Sequence, residues 1–177
     1  MPEWTDPELL EVTVGDRPRA SLQNGLVDNV AFLGRTPQVA VRLTSPQEIP
    51  SGTNQAIFWS EAVWNDRDMW DGLADAAIFI VRPGIYSVNV NVLWGETASD
   101  DLSRRAVFVE RNNDTILVGD QRRHAQPTEQ NIGFDTNLAE NDQLTCVVRQ
   151  TSGAALNVQP QRTRMTVRWV GLPPGGA

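Results

Sequence analysis

Residues 75–94 read DAAIFIVRPGIYSVNVNVLW: a strand, a Pro83-Gly84 turn, and a second strand with almost unbroken two-residue alternation. Tyr86, Val88, Val90, Val92 and Trp94 share one face of that second strand, and Ser87, Asn89 and Asn91 share the other. A strand that buries one side and wets the other belongs to antiparallel sheets, whereas parallel sheets are buried on both faces. The rest of the chain is therefore read as all-β.

Outward from this stretch, turn-forming residues separate β-rich runs at intervals typical of a sandwich. Strands are predicted near 38–44, 55–60, 76–82, 85–94, 104–111, 115–120, 130–136, 143–150, 154–158 and 163–170. The clearest hairpin is RRAVFVERNNDTILVGD, residues 104–120, where Asn112-Asn113-Asp114 tolerate positive φ and reverse the chain. Near the end, Arg164, Thr166 and Arg168 alternate with Met165, Val167 and Trp169. Short strands with no helix between them make an antiparallel two-sheet jelly-roll sandwich the economical solution. No fixed-period repeat favours a propeller or solenoid.

Before Pro37 the pattern changes. Residues 1–36 read as an extended segment followed by a short helix within RASLQNGLVDNVAFLGR, where Leu22, Leu26, Val30 and Leu33 recur at helical spacing. Pro18 suits its first turn and Gly34 its C-terminal cap, while Gly25 weakens it by up to about 1 kcal/mol. A helix this short is marginal alone, so its apolar stripe is expected to be buried against something else. The expected organisation is an N-terminal anchor over 1–36, a jelly roll over 37–172 and a flexible tail over 173–177.

With 177 residues, 40% of them hydrophobic, the chain is long enough to bury a real core. MPEWTDPELLEV carries acids where a secretory signal needs a basic start, and no apolar run approaches the ~20 residues of a membrane span. A soluble protein with no membrane partner is expected. The formal charge of −7 argues against a nucleic-acid partner, because phosphate binding draws on clustered cations. Every basic residue is arginine. That offers planar, bidentate contacts, or it reflects a GC-rich genome, the preferred explanation. The single cysteine, Cys146, excludes an intramolecular disulfide and any cysteine-rich zinc site. In QLTCVVRQ it alternates onto one face with Leu144 and Val148, which predicts a buried apolar thiol.

Chemistry has few candidates. Residues 59–72, WSEAVWNDRDMWDG, place Trp59, Trp64 and Trp70 beside Asp66, Asp68 and Asp71. Such carboxylates can hold Ca²⁺, but the EF-hand template fails because Trp70 takes the fifth position and the glycine comes one residue late, so no metal and no cofactor is expected. Aromatics flanked by carboxylates can also stack on a sugar, making Trp64, Asp66, Asp68 and Trp70 a candidate glycan site. The alternative is large aromatics filling the ends of the sandwich. His124 is the sole histidine, no Gly-x-Ser-x-Gly elbow accompanies it, and Glu61 with Asp66, the obvious test pair for glycoside hydrolysis, stands no higher than the many other surface acids. No enzymatic activity is expected. Both faces of 106–109 are apolar, Val107 and Val109 lying opposite Ala106 and Phe108, and Leu93 sits on an otherwise polar face. Leu93, Val107 and Val109 are thus candidates for a subunit interface, with a covering loop as the alternative.

Gly84-Ile85-Tyr86, then Leu138 through Asp142 before a β-rich run, then the apolar Val167 to Trp169 strand, resemble the globular-head family shared by complement recognition proteins and tumour necrosis factor. The resemblance covers roughly residues 38–172. Trp4, Pro7, Val14, Gly15, Ala20, Asn24, Val27, Asp28 and Asn29 resemble the leader that precedes such jelly rolls in virion proteins of tailed bacteriophages of actinobacteria. In many of those an Arg precedes the Asp-Asn pair, where this chain has Val27. The resemblance implies a homotrimeric virion accessory protein made in the host cytoplasm, a minor tail protein; a capsid decoration protein at threefold sites is the alternative, since a trimer also suits such axes. Its implied partners are itself and other virion proteins, with a host cell-surface glycan as a further partner; a free-standing glycan-binding adhesion module is the alternative of another class. Trp4, Leu22, Asn24, Leu26, Asp28, Asn29 and Val30 are the expected virion-docking residues, the Leu22, Leu26 and Val30 stripe because so short a helix needs a partner.

Overall fold

The computed structural model describes residues 20–33, 35–72, 76–96, 104–123 and 128–173. The chain divides into two units, residues 1–36 and 37–177. Among the described residues no helix is long and apolar enough to cross a membrane.

In the first unit, Ala20–Leu33 form helix α1. Its buried positions are Gly25, Asn29 and Phe32, spaced three or four residues apart, with Leu22 half-buried. Leu26, Val27 and Val30 are 51%, 61% and 70% exposed. Leu26 and Val30 of the expected stripe thus lie open on the chain's own surface, while Gly25, Asn29 and Phe32 are covered. The helix is apolar on more than one side, and the narrow Gly25 lies on the buried side.

The second unit is an antiparallel two-sheet jelly roll. Its strands are β1 (Gln38–Arg42), β2 (Gln47–Ile49), β3 (Asn54–Ala56), β4 (Glu61–Asp66), β5 (Ala77–Phe79), β6 (Gly84–Trp94), β7 (Arg104–Arg111), β8 (Thr115–Arg123), β9 (Thr128–Leu138), β10 (Gln143–Gln150) and β11 (Leu156–Gly171). One sheet runs β4-β1-β11-β6-β9 with β2 added to β11, and the other runs β3-β10-β7-β8 with β5 added to β10. The alternation read in residues 84–94 is realised in β6: Tyr86, Val88, Val90, Val92 and Trp94 are fully buried, facing the space between the sheets. Met165, Val167 and Trp169 of β11 join them from the same sheet, and Val107, Val109, Leu144, Cys146 and Val148 from the other.

Three differences from the sequence expectation have physical causes. β2 and β4 occupy stretches without a clear alternation; β4 is an edge strand exposed on both sides, so no buried period marks it. The runs 154–158 and 163–170 are parts of one strand, β11, interrupted where Pro160 removes a ladder donor. Val107 and Val109, expected at a subunit interface, are fully buried in the protomer's own core. The opposite face of β7 is filled locally, since a Cβ on Gly119 would lie 2.5 Å from the Phe108 ring that covers it.

Turn chemistry fixes the register. Asn112 and Asn113 both take positive φ, 56° and 58°, the requirement of a tight hairpin turn between β7 and β8. The segment from Leu138 to Asp142 closes on itself: Asp142 Oδ2 accepts from the Ala139 N–H at 2.8 Å, and Asn141 sits at φ 69°. The Tyr86 hydroxyl donates to the Arg82 carbonyl at 2.8 Å, tying the Pro83-Gly84 turn to the core. Across the sandwich, buried Gln130 accepts from Trp94 Nε1 at 2.7 Å and donates to the carbonyls of Arg105 and Asp120 at 3.3 and 3.2 Å, joining the two sheets.

Candidate functional site

Two irregularities in the first sheet build a cleft on its outward face. The first lies between β1 and β4, where Ala40 faces Trp64 but Val41 faces Ala62, leaving Val63 as an extra residue. Such a bulge bends an edge strand and re-aims its side chains. Val63 and Trp64 are consequently 52% and 46% exposed. The second lies between β11 and β6, where Gln159 faces Leu93 and Arg164 faces Asn91, so the four residues 160–163 oppose Val92 alone. Thr163 pins this excursion from inside: its hydroxyl donates to the Gln159 carbonyl at 2.6 Å and accepts from the Leu93 N–H at 3.1 Å. The cleft between the two bulges has a volume of about 790 Å³.

Its floor and walls follow from register. One cross-strand row runs Trp64, Ala40, Thr166, Asn89, and the next runs Glu61, Arg42, Arg164, Asn91, Asn131. Ala40 is small and buried, so the indole of Trp64 has a low neighbour beside it. Arg42 donates to Glu61 Oε2 through Nε and Nη2 at 3.0 and 2.9 Å. Arg162 reaches over β6 to donate to Glu129 Oε2 at 2.8 Å, and Asn91 Nδ2 donates to Glu129 Oε1 at 2.5 Å. These two hydrogen bonds hold the Glu129 carboxyl below its ordinary value, with the Arg162 and Arg164 charges acting in the same direction. Arg164 itself is exposed and forms no ion pair among the described residues. Asn91 is 9% exposed, and its Oδ1 is buried with no hydrogen-bond partner among the described residues.

The residues singled out from sequence separate. Of the three tryptophans in 59–72, Trp59 and Trp70 are buried at 0% and 6% exposure, and only Trp64 presents its ring. Trp70 is locked by Asn65, whose Oδ1 accepts from its N–H and whose Nδ2 donates to its carbonyl. Asp66 accepts from Gln38 Nε2 at 2.8 Å, and Asp68 lies exposed in the turn after β4 at φ 54°. Of the candidate glycan site Trp64, Asp66, Asp68 and Trp70, the structure thus withdraws Trp70 from the surface, while Trp64 and Asp66 stand two residues apart on β4. Among the described residues no three His, Cys, Asp or Glu side chains converge as a metal site would require. Glu61 and Asp66 are each engaged by a neighbour, Arg42 and Gln38, rather than by one another. Leu93 is half-buried on the outward face opposite Glu129. Cys146 is fully buried, which pushes its thiol pKa up. Trp4 and His124 lie outside the described residues. Nothing in the one-dimensional pattern points to Arg42, Arg162, Arg164 or Glu129, because bulges and cross-strand register bring them together; the one available signal is Pro160 inside a long β-run.

The architecture has close counterparts among solved structures. An Eiger TNF from S. frugiperda covers 81% of this chain and 98% of its own, with a TM-score of 0.56 at 12% identity. Murine APRIL matches with a TM-score of 0.58 at 15% identity over 76% of this chain and 99% of its own. The fold is that of tumour necrosis factor and the complement globular heads. The globular domain of zebrafish complement 1qA confirms the second half of that description, with a TM-score of 0.54 at 9% identity over 77% of this chain and 99% of its own. In sequence, no protein-family model and no curated protein matches the chain. At these identities the likeness is one of fold.

Proposed function

We propose that the chain is a non-enzymatic, homotrimeric jelly-roll module of a tailed-bacteriophage virion, a minor tail protein whose jelly roll contacts the host surface. The observation that carries this reading is helix α1. It exposes Leu26, Val27 and Val30 in a unit distinct from the jelly roll, and it carries the Asn24, Asp28 and Asn29 of the virion-leader resemblance. An exposed apolar patch of this kind on a short helix marks a surface made for a partner. The non-enzymatic part of this reading is supported by the likeness in fold to a tumour necrosis factor and a complement globular domain. The tumour-necrosis-factor-like fold supports self-association.

Deleting residues 1–36 tests the docking role. The expected result is a jelly roll that folds and remains outside purified particles; incorporation at the wild-type level would refute it. Light scattering on the dilute full-length chain tests the trimer, with three times the 19.6 kDa chain mass expected. A threefold assembly also suits a capsid decoration protein, so immunogold labelling of intact particles assigns the protein to tail or head. Labelling of neither would favour a free adhesion module, the reading to which exposed Trp64 lends weight.

A further inference from the structure

We propose that the cleft between the β4 and β11 bulges binds an acidic saccharide, a pyranose bearing a carboxylate. Trp64 stacks on the apolar face of its ring, and Arg164 holds its carboxylate. The assignment deepens the host-contact part of the reading above and is independent of its oligomeric part.

Four observations converge on this ligand class. Trp64 has the only exposed indole among the described residues: Trp59, Trp70, Trp94 and Trp169 are all at or below 6% exposure. A half-exposed indole lining the cleft beside a small Ala40 offers apolar ring surface to a ligand, which suits the C–H face of a sugar ring. The chain carries a net charge of −7, yet this cleft gathers Arg42, Arg162 and Arg164. Two of these neutralise Glu61 and Glu129, which leaves Arg164 as the surplus cation, with the planar donor fork that matches a carboxylate.

The paired carboxylates supply the remaining recognition. Glu61 and Glu129 retain lone pairs that accept from sugar hydroxyls, while Gln161 on the β11 excursion adds an amide that both donates and accepts. Oriented hydrogen bonding around a stacked ring selects a polyhydroxylated ligand over a plain apolar one. At the floor, the unpartnered Oδ1 of buried Asn91 gives the site an acceptor that a bound hydroxyl or its attendant water can satisfy after a small shift.

The test titrates the full-length chain with an oligogalacturonate and with its neutral galactose counterpart, following tryptophan fluorescence and heat. Saturable binding of the acidic oligomer is expected, with a Kd of about 1 mM or below and a preference of about tenfold over the neutral one. Trp64→Ala should weaken both by about tenfold or more, whereas Arg164→Gln should erase the preference and leave neutral binding in place. Both side chains are substantially exposed, so neither change threatens folding, and Arg168→Gln on the same outward face is the control expected to alter nothing. The preference should shrink as NaCl rises.

No saturable binding of the oligogalacturonate would overturn the proposal. So would unchanged affinity in Trp64→Ala, a preference that survives Arg164→Gln, or equal competition by free acetate, which would reduce the cleft to a simple anion site. A Trp64 shielded from acrylamide in the assembled protein, with no binding, would equally overturn it. A monomer that binds the oligomer as described would remove the trimer from the reading above and leave this assignment standing.

Discussion

Replacing Gly84 with alanine probes the joint on which the decisive strand turns. Gly84 sits at φ 150°, where a side chain is strained, and a Cβ there would lie 2.3 Å from Trp169 Nε1 and 2.7 Å from the Gly171 carbonyl oxygen. Neither neighbour is free to retreat. The carbonyl is backbone at the end of β11, and the indole is 5% exposed and donates to the Pro83 carbonyl at 3.3 Å. Backbone strain costs about 1–3 kcal/mol and overpacking a similar amount. The stiffer unfolded chain offsets about 0.4–1 kcal/mol. The net expectation is a loss of about 1–5 kcal/mol, or roughly 2–20 °C in thermal midpoint for a domain of this size. Urea unfolding at fixed protein concentration measures it, and fixed concentration matters because self-association contributes to apparent stability. The same change made in a Trp169→Phe background removes the closest collision, so its cost should fall by about 1 kcal/mol or more. A Gly84→Ala midpoint within about 0.5 kcal/mol of wild type would refute the reasoning, and an undiminished cost in the Trp169→Phe background would refute the part assigned to the indole.

Gln130→Ala strips the acceptor from buried Trp94 Nε1 and the donor from two carbonyls, and urea unfolding should show a loss of about 2–4 kcal/mol, against about 0.5 or less for Gln161→Ala on the exposed excursion. Cys146, buried and with its thiol pKa raised, should resist a thiol reagent at pH 8 in the native state and take up one equivalent in denaturant; prompt native labelling would contradict its burial. The Glu129 carboxyl is held below its ordinary value of 4.5, so its stabilising contribution is present above that pH and is lost as the pH falls through its lower folded value. Thermal midpoints measured from pH 7 to pH 3 should therefore show a shallower acid decline in Glu129→Gln than in the wild type.

The parts of the fold legible in the sequence are those where burial imposes a period. β6 alternates because one face meets the opposing sheet, and the Asn112-Asn113 turn announces itself because few residues accept positive φ. β4 leaves no such trace: an edge strand with a bulge sets Val63 and Trp64 side by side in exposure, and a period of two cannot survive an inserted residue. Both faces of β7 are apolar in sequence, but hydrophobicity alone does not say which face meets the protomer's own core, and Val107 and Val109 do. For the candidate site, Trp64 is visible by type and its neighbours are not. Arg42, Glu129 and Arg164 come from three strands and meet only through register, while Arg162 arrives on an excursion whose sole mark is a proline.

That excursion separates what is free to vary from what is not. Residues 160–163 leave the ladder after Gln159 and return at Arg164, and on either side the pairing with β6 is fixed, by Val158 with Trp94 and by Arg164 with Asn91. Lengthening, shortening or rewriting the intervening residues changes the rim of the cleft without displacing a buried side chain, provided Thr163 is kept. This short segment is thus exchangeable while the sandwich beneath it stays the same, much as a handle takes interchangeable blades.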